Sequence, residues 1–396
     1  MTEVRASRWP VVVALGTTQT LAWASSYYLI AILADPMARD LATSTTNLFA
    51  AFSAALLFSA VLGPRVGRTI DRFGGREVLA ASNCLFAAGL GLMALAPTPA
   101  MMWLAWLVVG AAMGLGLYDA AFAALGRIYG DTARGAITGI TLMAGLASTI
   151  GWPLTAWGEA EIGWRATCAS WALAHLVLGL PLNLLALPRL RAVAAALAGS
   201  VKPHIPMDRT MWLLGFAFAA GWVVSTAMAA HLPRLLEMAG ATTAQAVIAG
   251  MLIGPAQVAA RMLEASYLSR FHPLLSARMS AVMHPIASAL LLAGGGLLAM
   301  PFTLLHGAGN GILTIARGTV PLAVYGPENY GYRLGLLGAP ARIAQAGAPL
   351  AFGALIDAYG AYAVIATAVV SLASLAALLA VPSRQPEPPN AGTRIG

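Results

Sequence analysis

Lysine is almost missing from this chain: Lys202 stands alone against 22 arginines. Charge of any kind is scarce, at 10% of 396 residues, where a soluble domain carries about 25%. A water-soluble fold of this length exposes too much surface to hide a composition that is 59% hydrophobic. A bilayer removes that constraint, and a soluble enzyme is excluded. Cysteine occurs only as Cys84 and Cys168, each alone in an apolar run, which excludes a disulfide framework or a thiolate metal site. The chain holds no His/Cys/carboxylate cluster with metal-ligand spacing, and no P-loop, dinucleotide fingerprint or nucleophile elbow. No metal, no cofactor and no ATP-driven cycle are therefore expected of it. The net charge of +8 does not by itself imply nucleic acid, and no nucleic-acid partner is expected; placement of the charges matters more than their sum. The excess of arginine over lysine, with abundant alanine, points to a GC-rich bacterial gene.

What is present is a succession of apolar segments of roughly 20 residues, each long enough to cross a ~30 Å hydrocarbon core as a helix. Twelve are predicted: 10–34, 45–64, 78–96, 100–124, 136–157, 165–187, 210–232, 244–263, 279–300, 302–325, 334–356 and 361–381. The polar stretch Gly16–Thr20 interrupts the first, which then runs on to Ala34, too long and uneven for a cleaved signal peptide. With the N-terminus in the cytoplasm, 18 Lys and Arg fall in inner segments and 3 (Arg39, Arg165, Arg234) in outer ones. That asymmetry predicts both termini cytoplasmic in an inner, multi-pass membrane protein.

The chain also repeats itself. Trp23-x-x-Ser26 matches Trp222-x-x-Ser225 at an offset of 199, Gly110-x-x-x-Gly114 matches Gly307-x-x-x-Gly311 at 197, and Gly151-Trp-Pro153 matches Gly347-Ala-Pro349 at 196. Near-constant offsets predict an all-α membrane protein of two pseudo-symmetric six-helix halves. Residues 1–187 form the first half, 188–209 a cytoplasmic connection, 210–382 the second half and 383–396 a cytoplasmic tail.

Between the second and third segments lies Gly67-Arg-Thr-Ile-Asp71-Arg72-Phe-Gly74-Gly-Arg76. Gly67 permits close helix approach, Gly74 a tight turn, and Asp71 can accept from a helix N-terminus or pair with an arginine. The stretch resembles the loop signature of the major facilitator superfamily, G-x-x-x-D-R-x-G-R-[RK], at the place where that family carries it. Gly67, Asp71, Arg72, Gly74 and Arg76 match, and Gly75 departs from the pattern. The resemblance covers the whole chain and implies a twelve-helix secondary transporter working by alternating access, with this motif as a gate on the cytoplasmic face. Trp106 stands where the family often places a coupling arginine in its fourth helix, and Gly151-Trp-Pro153 is only a fragment of the antiporter motif. The stretch around Tyr118-Asp119 and Gly135-x-x-x-Gly139 is loosely similar to monocarboxylate-porter relatives.

Ionisable groups inside spans cost about 2.5–3.5 kcal/mol each and mark candidate sites. On the tenth segment His306, Asn310, Thr314 and Arg317 advance by four, four and three and share one helical face. The resemblance implies that the first, fourth, seventh and tenth segments line a central cavity. Candidate substrate contacts are Arg317, Asn310, His306, Arg342, Gln345, Gln257, Trp23, Tyr27, Tyr118 and Trp222. Asp119 is a candidate gate residue, pairing either locally with Arg127 or Arg134, the favoured reading, or across the cavity with Arg317. Arg261 reads as an anchor at the cytoplasmic end, and His175, His231 and His284 are scattered. Because arginines outnumber the one intramembrane carboxylate, the expected substrate is a small organic anion, moved by a monomer in the lipid bilayer, with proton coupling left open. An exporter of amphipathic drugs or metabolites, and a non-transporting receptor, are the alternatives.

Overall fold

The computed structural model describes residues 8–190, 205 and 207–383. Arg5, Arg191, Lys202, Arg384 and Arg394, which belong to the predicted cytoplasmic set, lie outside these residues, as do most of the central connection and the tail. Among the described residues the chain is helical with no strand, and it pairs into twelve spans. In the first half these are α1 (Arg8–Ala24 and Leu29–Asp40), α2 (Thr45–Phe73), α3 (Arg76–Leu95) and α4 (Pro99–Gly116 and Tyr118–Tyr129). Span α5 joins Arg134–Ala144 to the first part of Ala147–Ala174, and α6 takes the remainder with Leu180–Ala186. The second half holds α7 (Arg209–Met238), α8 (Thr243–Met251 and Ile253–Ser266), α9 (Pro273–Gly294), α10 (Ala299–Tyr325), α11 (Tyr330–Tyr359) and α12 (Val364–Leu379).

Seven uninterrupted helical stretches are long and apolar enough to cross a bilayer, and three of them fold back on themselves. The reversals fall at Gly130, Gly163, Gly295 and Gly360, all with φ between 54° and 78°, a conformation that only glycine adopts without strain. Large apolar side chains such as Leu185, Leu297 and Leu350 stay more than four-fifths exposed around the bundle, as lipid-facing residues do.

Span α2 is longer than its sequence suggests. The expected end at Pro64 is not a break, and the helix runs on to Phe73. A transmembrane helix tolerates such a proline when neighbouring helices cover the freed carbonyl. The signature motif is thus the last two turns of α2, and only Gly74 and Gly75 form the turn to α3.

The internal repeat has a packing basis at the Gly110 and Gly307 match. A Cβ on Gly110 would lie 2.5 Å from the Ala55 carbonyl oxygen of α2, and one on Gly307 would lie 3.0 Å from the Ile253 carbonyl oxygen of α8. The same small residue therefore lets the fourth helix of each half approach the second. The third match is different: Gly151 packs against Ala24, whereas Gly347 has open space around it.

Candidate functional site

Two helix breaks build the centre of the molecule. Span α1 unwinds over Ser25–Tyr28, and the Ser25 and Ser26 hydroxyls donate back to the carbonyls of Leu21 and Ala22. Span α4 breaks at Leu117, whose backbone is extended (φ −82°, ψ −174°). The carbonyl of Gly116, freed from the helical ladder, accepts from the Gln19 side chain at 2.5 Å. Non-helical backbone at this depth survives because the protein itself supplies the missing partner. The break turns Tyr118 and Asp119 into the first turn of a new half-helix, where the dipole favours a carboxylate.

Asp119 meets two arginines of the other half. Its Oδ1 accepts from Arg317 Nη2 at 2.8 Å and its Oδ2 from Arg342 Nη2 at 2.6 Å, with all three side chains only 10–12% exposed. The favoured sequence expectation, a local pair with Arg127 or Arg134, is corrected by this geometry. Arg127 donates instead to the Asp71 carbonyl, and Arg134 binds Glu264. Sequence spacing favoured neighbours on the same face, and it could not show that α10 and α11 deliver guanidinium groups to α4. Gly338 on α11 makes room for the triad, since a Cβ there would lie 2.6 Å from Asp119 Oδ2.

Trp23, Tyr27, Tyr118, Asp119, Trp222, Arg317, Arg342 and Gln345 line one central cavity with Leu56, Met113, Leu117 and Ala341. Its free space is about 30 Å³, on the order of one water molecule. Trp23 packs edge-on against Tyr27 and tilted against Tyr118, at centroid distances of 5.3 and 5.1 Å. Arg317 sits 5.0 Å over the Trp222 ring, a cation–π contact. The indole N–H groups of Trp23 and Trp222 are buried without a partner. Gln345 donates to Thr226.

Three expected substrate contacts lie elsewhere. His306 and Asn310 line a second cavity inside the C-terminal half, where Asn310 accepts from Ser225 at 2.7 Å. Gln257 accepts from Arg261 and does not reach the central cavity. The four residues read as one stripe on α10 fan out, because positions 306 to 317 span about 16 Å and meet different neighbours. Thr314 faces Arg261, and only Arg317 is central. Arg261 is no exposed anchor: it is 4% exposed and donates to the Thr141 carbonyl of α5 at 2.9 Å.

The signature motif joins the two halves at the arginine-rich end. Asp71 accepts from the backbone N–H groups of Gly331 and Tyr332, both at 2.8 Å, and so caps the first turn of α11 across the half boundary. A Cβ on Gly67 would lie 2.0 Å from the Gly331 carbonyl oxygen, so the two backbones touch. Arg68 lies 4.1 Å over the Tyr332 ring. Arg76 donates through Nε and Nη2 to the Leu184 carbonyl at the end of α6, while Gly74 closes α2 with φ 90°. Gly75 is explained by a Cβ distance of 2.2 Å to Ala124 Cβ. Arg72 is exposed, and among the described residues it makes no hydrogen bond or ion pair and lies 5.0 Å over the neighbouring Phe73 ring. Beside this surface Arg134 bridges to Glu264 at 2.8 Å and to the Phe271 carbonyl at 2.6 Å. His272, in the adjoining loop, has its pKa lowered by burial and by Arg134 and Arg278, which keeps Nδ1 free to accept from the Leu274 N–H.

Asp71→Asn is expected to loosen this cap while leaving the central cavity intact. Hydrogen bonds to a charged acceptor are worth about 1.5–3 kcal/mol, so the closed state at this end loses about 10- to 100-fold in population. Cross-linking of a cysteine pair at positions 68 and 332 by a short bis-maleimide reads that shift. A wild-type cross-linking yield in the variant would remove Asp71 from the brace.

Comparison with known proteins agrees with this architecture. Residues 15–305 match the Major Facilitator Superfamily. An uncharacterised 38 kDa protein in the 23S RNA operon of Thermoproteus tenax is 29% identical over 292 residues, 72% of either chain. Among solved structures, the human organic anion transporter MFSD10 superposes with a TM-score of 0.72 at 16% identity, covering 95% of this chain and 99% of that one. The transporter FucP in its outward conformation superposes at 0.73 with 15% identity, over 93% and 97%. The proton:xylose symporter XylE does so at 0.73 with 12% identity, over 95% and 96%. The family match spans most of the chain and the structural matches nearly all of it, so this protein belongs to the Major Facilitator Superfamily and is a transporter, not an enzyme.

Proposed function

We propose that this chain is a secondary transporter of small organic anions, working by alternating access across an inner membrane with both termini in the cytoplasm. The observation that carries the reading is the charge balance of the central cavity: two guanidinium groups against one carboxylate leave a unit of positive charge. The unpartnered indole donors of Trp23 and Trp222, one from each half, add further demand for acceptor oxygens. Aromatic rings beside them suit an apolar body on the same ligand. A neutral or cationic amphipath would leave the positive charge uncompensated, which disfavours the exporter reading.

With the arginine-rich end closed by the α2–α11 contact, Asp119 occupies both arginines and little free volume remains. Tilting the halves withdraws Asp119 with α4, and a substrate carboxylate takes its place on Arg317 and Arg342. FucP, in its outward conformation, is a structural neighbour that fits a cytoplasmic face closed in this state.

The test is a thermal-shift panel of purified protein with monocarboxylates, dicarboxylates, amphipathic cations and neutral sugars. Organic anions are expected to stabilise it, by about 2.7 kcal/mol at ~100 times Kd. Arg317→Gln leaves Asp119 neutralised by Arg342, so the fold persists while anion affinity falls about 10- to 100-fold; Arg317→Lys, a point charge in place of a planar fork, loses less. Stabilisation by cations alone, or wild-type anion affinity in Arg317→Gln, would remove the anion reading. The orientation is checked separately: Asp131→Cys should label only from the cytoplasmic side and Thr98→Cys only from outside, and the reverse pattern would invert the topology.

A further inference from the structure

The second cavity holds a pair of imidazoles that the central site does not use. His284 on α9 and His306 on α10 approach Nδ1 to Nδ1 at 3.0 Å, and His284 Nε2 lies 3.0 Å from Thr367 Oγ1 of α12. Both rings are buried, packed against Phe302. Ser225 from α7, Ser280 from α9, and Ser371 and Ser374 from α12 line the same space with Asn310. No Asp, Glu, Lys or Arg is among the lining residues, so no other titratable group from these packed elements faces the pair. Arg317 and Arg261, the nearby charged groups of α10 and α8, are committed to Asp119 and to Thr141. His306 lines the cavity, and its Nε2 has no hydrogen-bond partner among the described residues.

Counting protons gives the pair a definite capacity. Two neutral imidazoles carry two N–H groups on four ring nitrogens. One hydrogen must lie between the two Nδ1 atoms, because two lone pairs at 3.0 Å would repel and two N–H groups would clash. Thr367 Oγ1 donates to the Val364 carbonyl at 2.8 Å and so accepts from His284 Nε2, which carries the other hydrogen and leaves His306 Nε2 bare. One further proton fills His306 Nε2 and leaves the Nδ1–H···Nδ1 bond intact. A second would put two N–H groups head to head. His175 in the other half is unlike this pair: Ser25 and Asn83 engage both its nitrogens at 2.8 and 2.9 Å.

We propose that the His284–His306 pair is a one-proton site, taking its proton from the cavity at His306 Nε2, and that its charge state couples a proton to transport. This inference rests on the reading of the chain as an anion transporter, and it places the coupling ion in a cavity separate from the substrate. Span α10 links the two, carrying His306 and Arg317 three turns apart. A proton on the pair adds a positive charge to the C-terminal half, which offsets the negative charge that an anion brings to Arg317 and Arg342. The net charge moved with the substrate is then zero.

Magic-angle-spinning NMR of protein with ¹⁵N-labelled histidine in liposomes, titrated from about pH 8 to about pH 4, reads the site directly. The expected result is uptake of one proton shared by two coupled imidazoles, lost in His306→Asn, while the His175 signals stay in place and report an intact fold. Two rings that titrate independently, or that stay neutral throughout, would overturn the proposal. Uptake of ¹⁴C-labelled hydroxy- and keto-monocarboxylates into the same liposomes under an inward proton gradient, counted in excess of protein-free liposomes (which trap weak acids by diffusion of the neutral form), tests the coupling. Gradient-driven uptake above the protein-free level is expected in wild type and is lost in His306→Asn; undiminished uptake in the variant overturns the coupling. If wild-type liposomes take up none of these anions beyond the protein-free level, the anion reading fails, and the NMR titration still decides the proton site.

Discussion

Asp119→Asn is expected to lower the unfolding temperature and to abolish transport, while Asp119→Asn combined with Arg317→Gln recovers much of the stability. The single change removes the only carboxylate between Arg317 and Arg342, raising the charge of the cavity from one unit to two. Removing one partner of a buried ion pair costs about 3–5 kcal/mol, because the remaining charge is left desolvated and uncompensated. A fall of about 4–6 °C in melting temperature follows for a chain of this length. The double change returns the cavity to one positive unit held by Arg342. The effects of residues in contact do not add, and the double variant should lie well above the sum of the two singles. Melting curves of the four proteins settle it. A double variant no more stable than Asp119→Asn would mean that the triad is not an electrostatic unit.

The second large effect is expected at Gly67. An alanine methyl there lands 2.0 Å from the Gly331 carbonyl oxygen, with the Gly331 carbonyl carbon at 2.3 Å, and both obstacles are backbone. Neither can swing aside as a side chain would, so α2 and α11 must separate. Overpacking of this kind costs about 1–3 kcal/mol, which is about 10- to 100-fold in the population of the state closed at the arginine-rich end. A cysteine pair at positions 68 and 332 should cross-link readily in the parent background and poorly in Gly67→Ala. Since alternating access requires both closed states, turnover falls with the cross-linking yield. Equal cross-linking in the two backgrounds would show that the glycine contact is not limiting. The expected loss overlaps that of Asp71→Asn, whose replacement still offers one acceptor oxygen to the α11 N-terminus.

Much of this protein was legible in its sequence, for reasons that are local. A hydrocarbon core demands apolar runs of fixed length, so composition and run length determined the membrane class and the number of spans. The Gly and Asp spacing of the signature motif determined the family, because a backbone contact at Gly67 tolerates no Cβ and a helix N-terminus favours an acceptor at Asp71. Eight of the candidate contact and gate residues line one cavity, since burial of aromatic and ionisable groups within spans already narrows where they can point. Partners were another matter. Asp119 was read towards Arg127 or Arg134 because local spacing is all that one helix reveals, and the choice of Arg317 and Arg342 was made by the packing of α10 and α11 against α4. The stripe on α10 has the same history: one face in sequence, but three destinations once α7, α8, α9 and α11 are in place. His284 and His306 lie 22 residues apart on adjacent helices, a separation with no motif attached. Only the tertiary fold brings two nitrogens to 3.0 Å and makes a shared proton unavoidable.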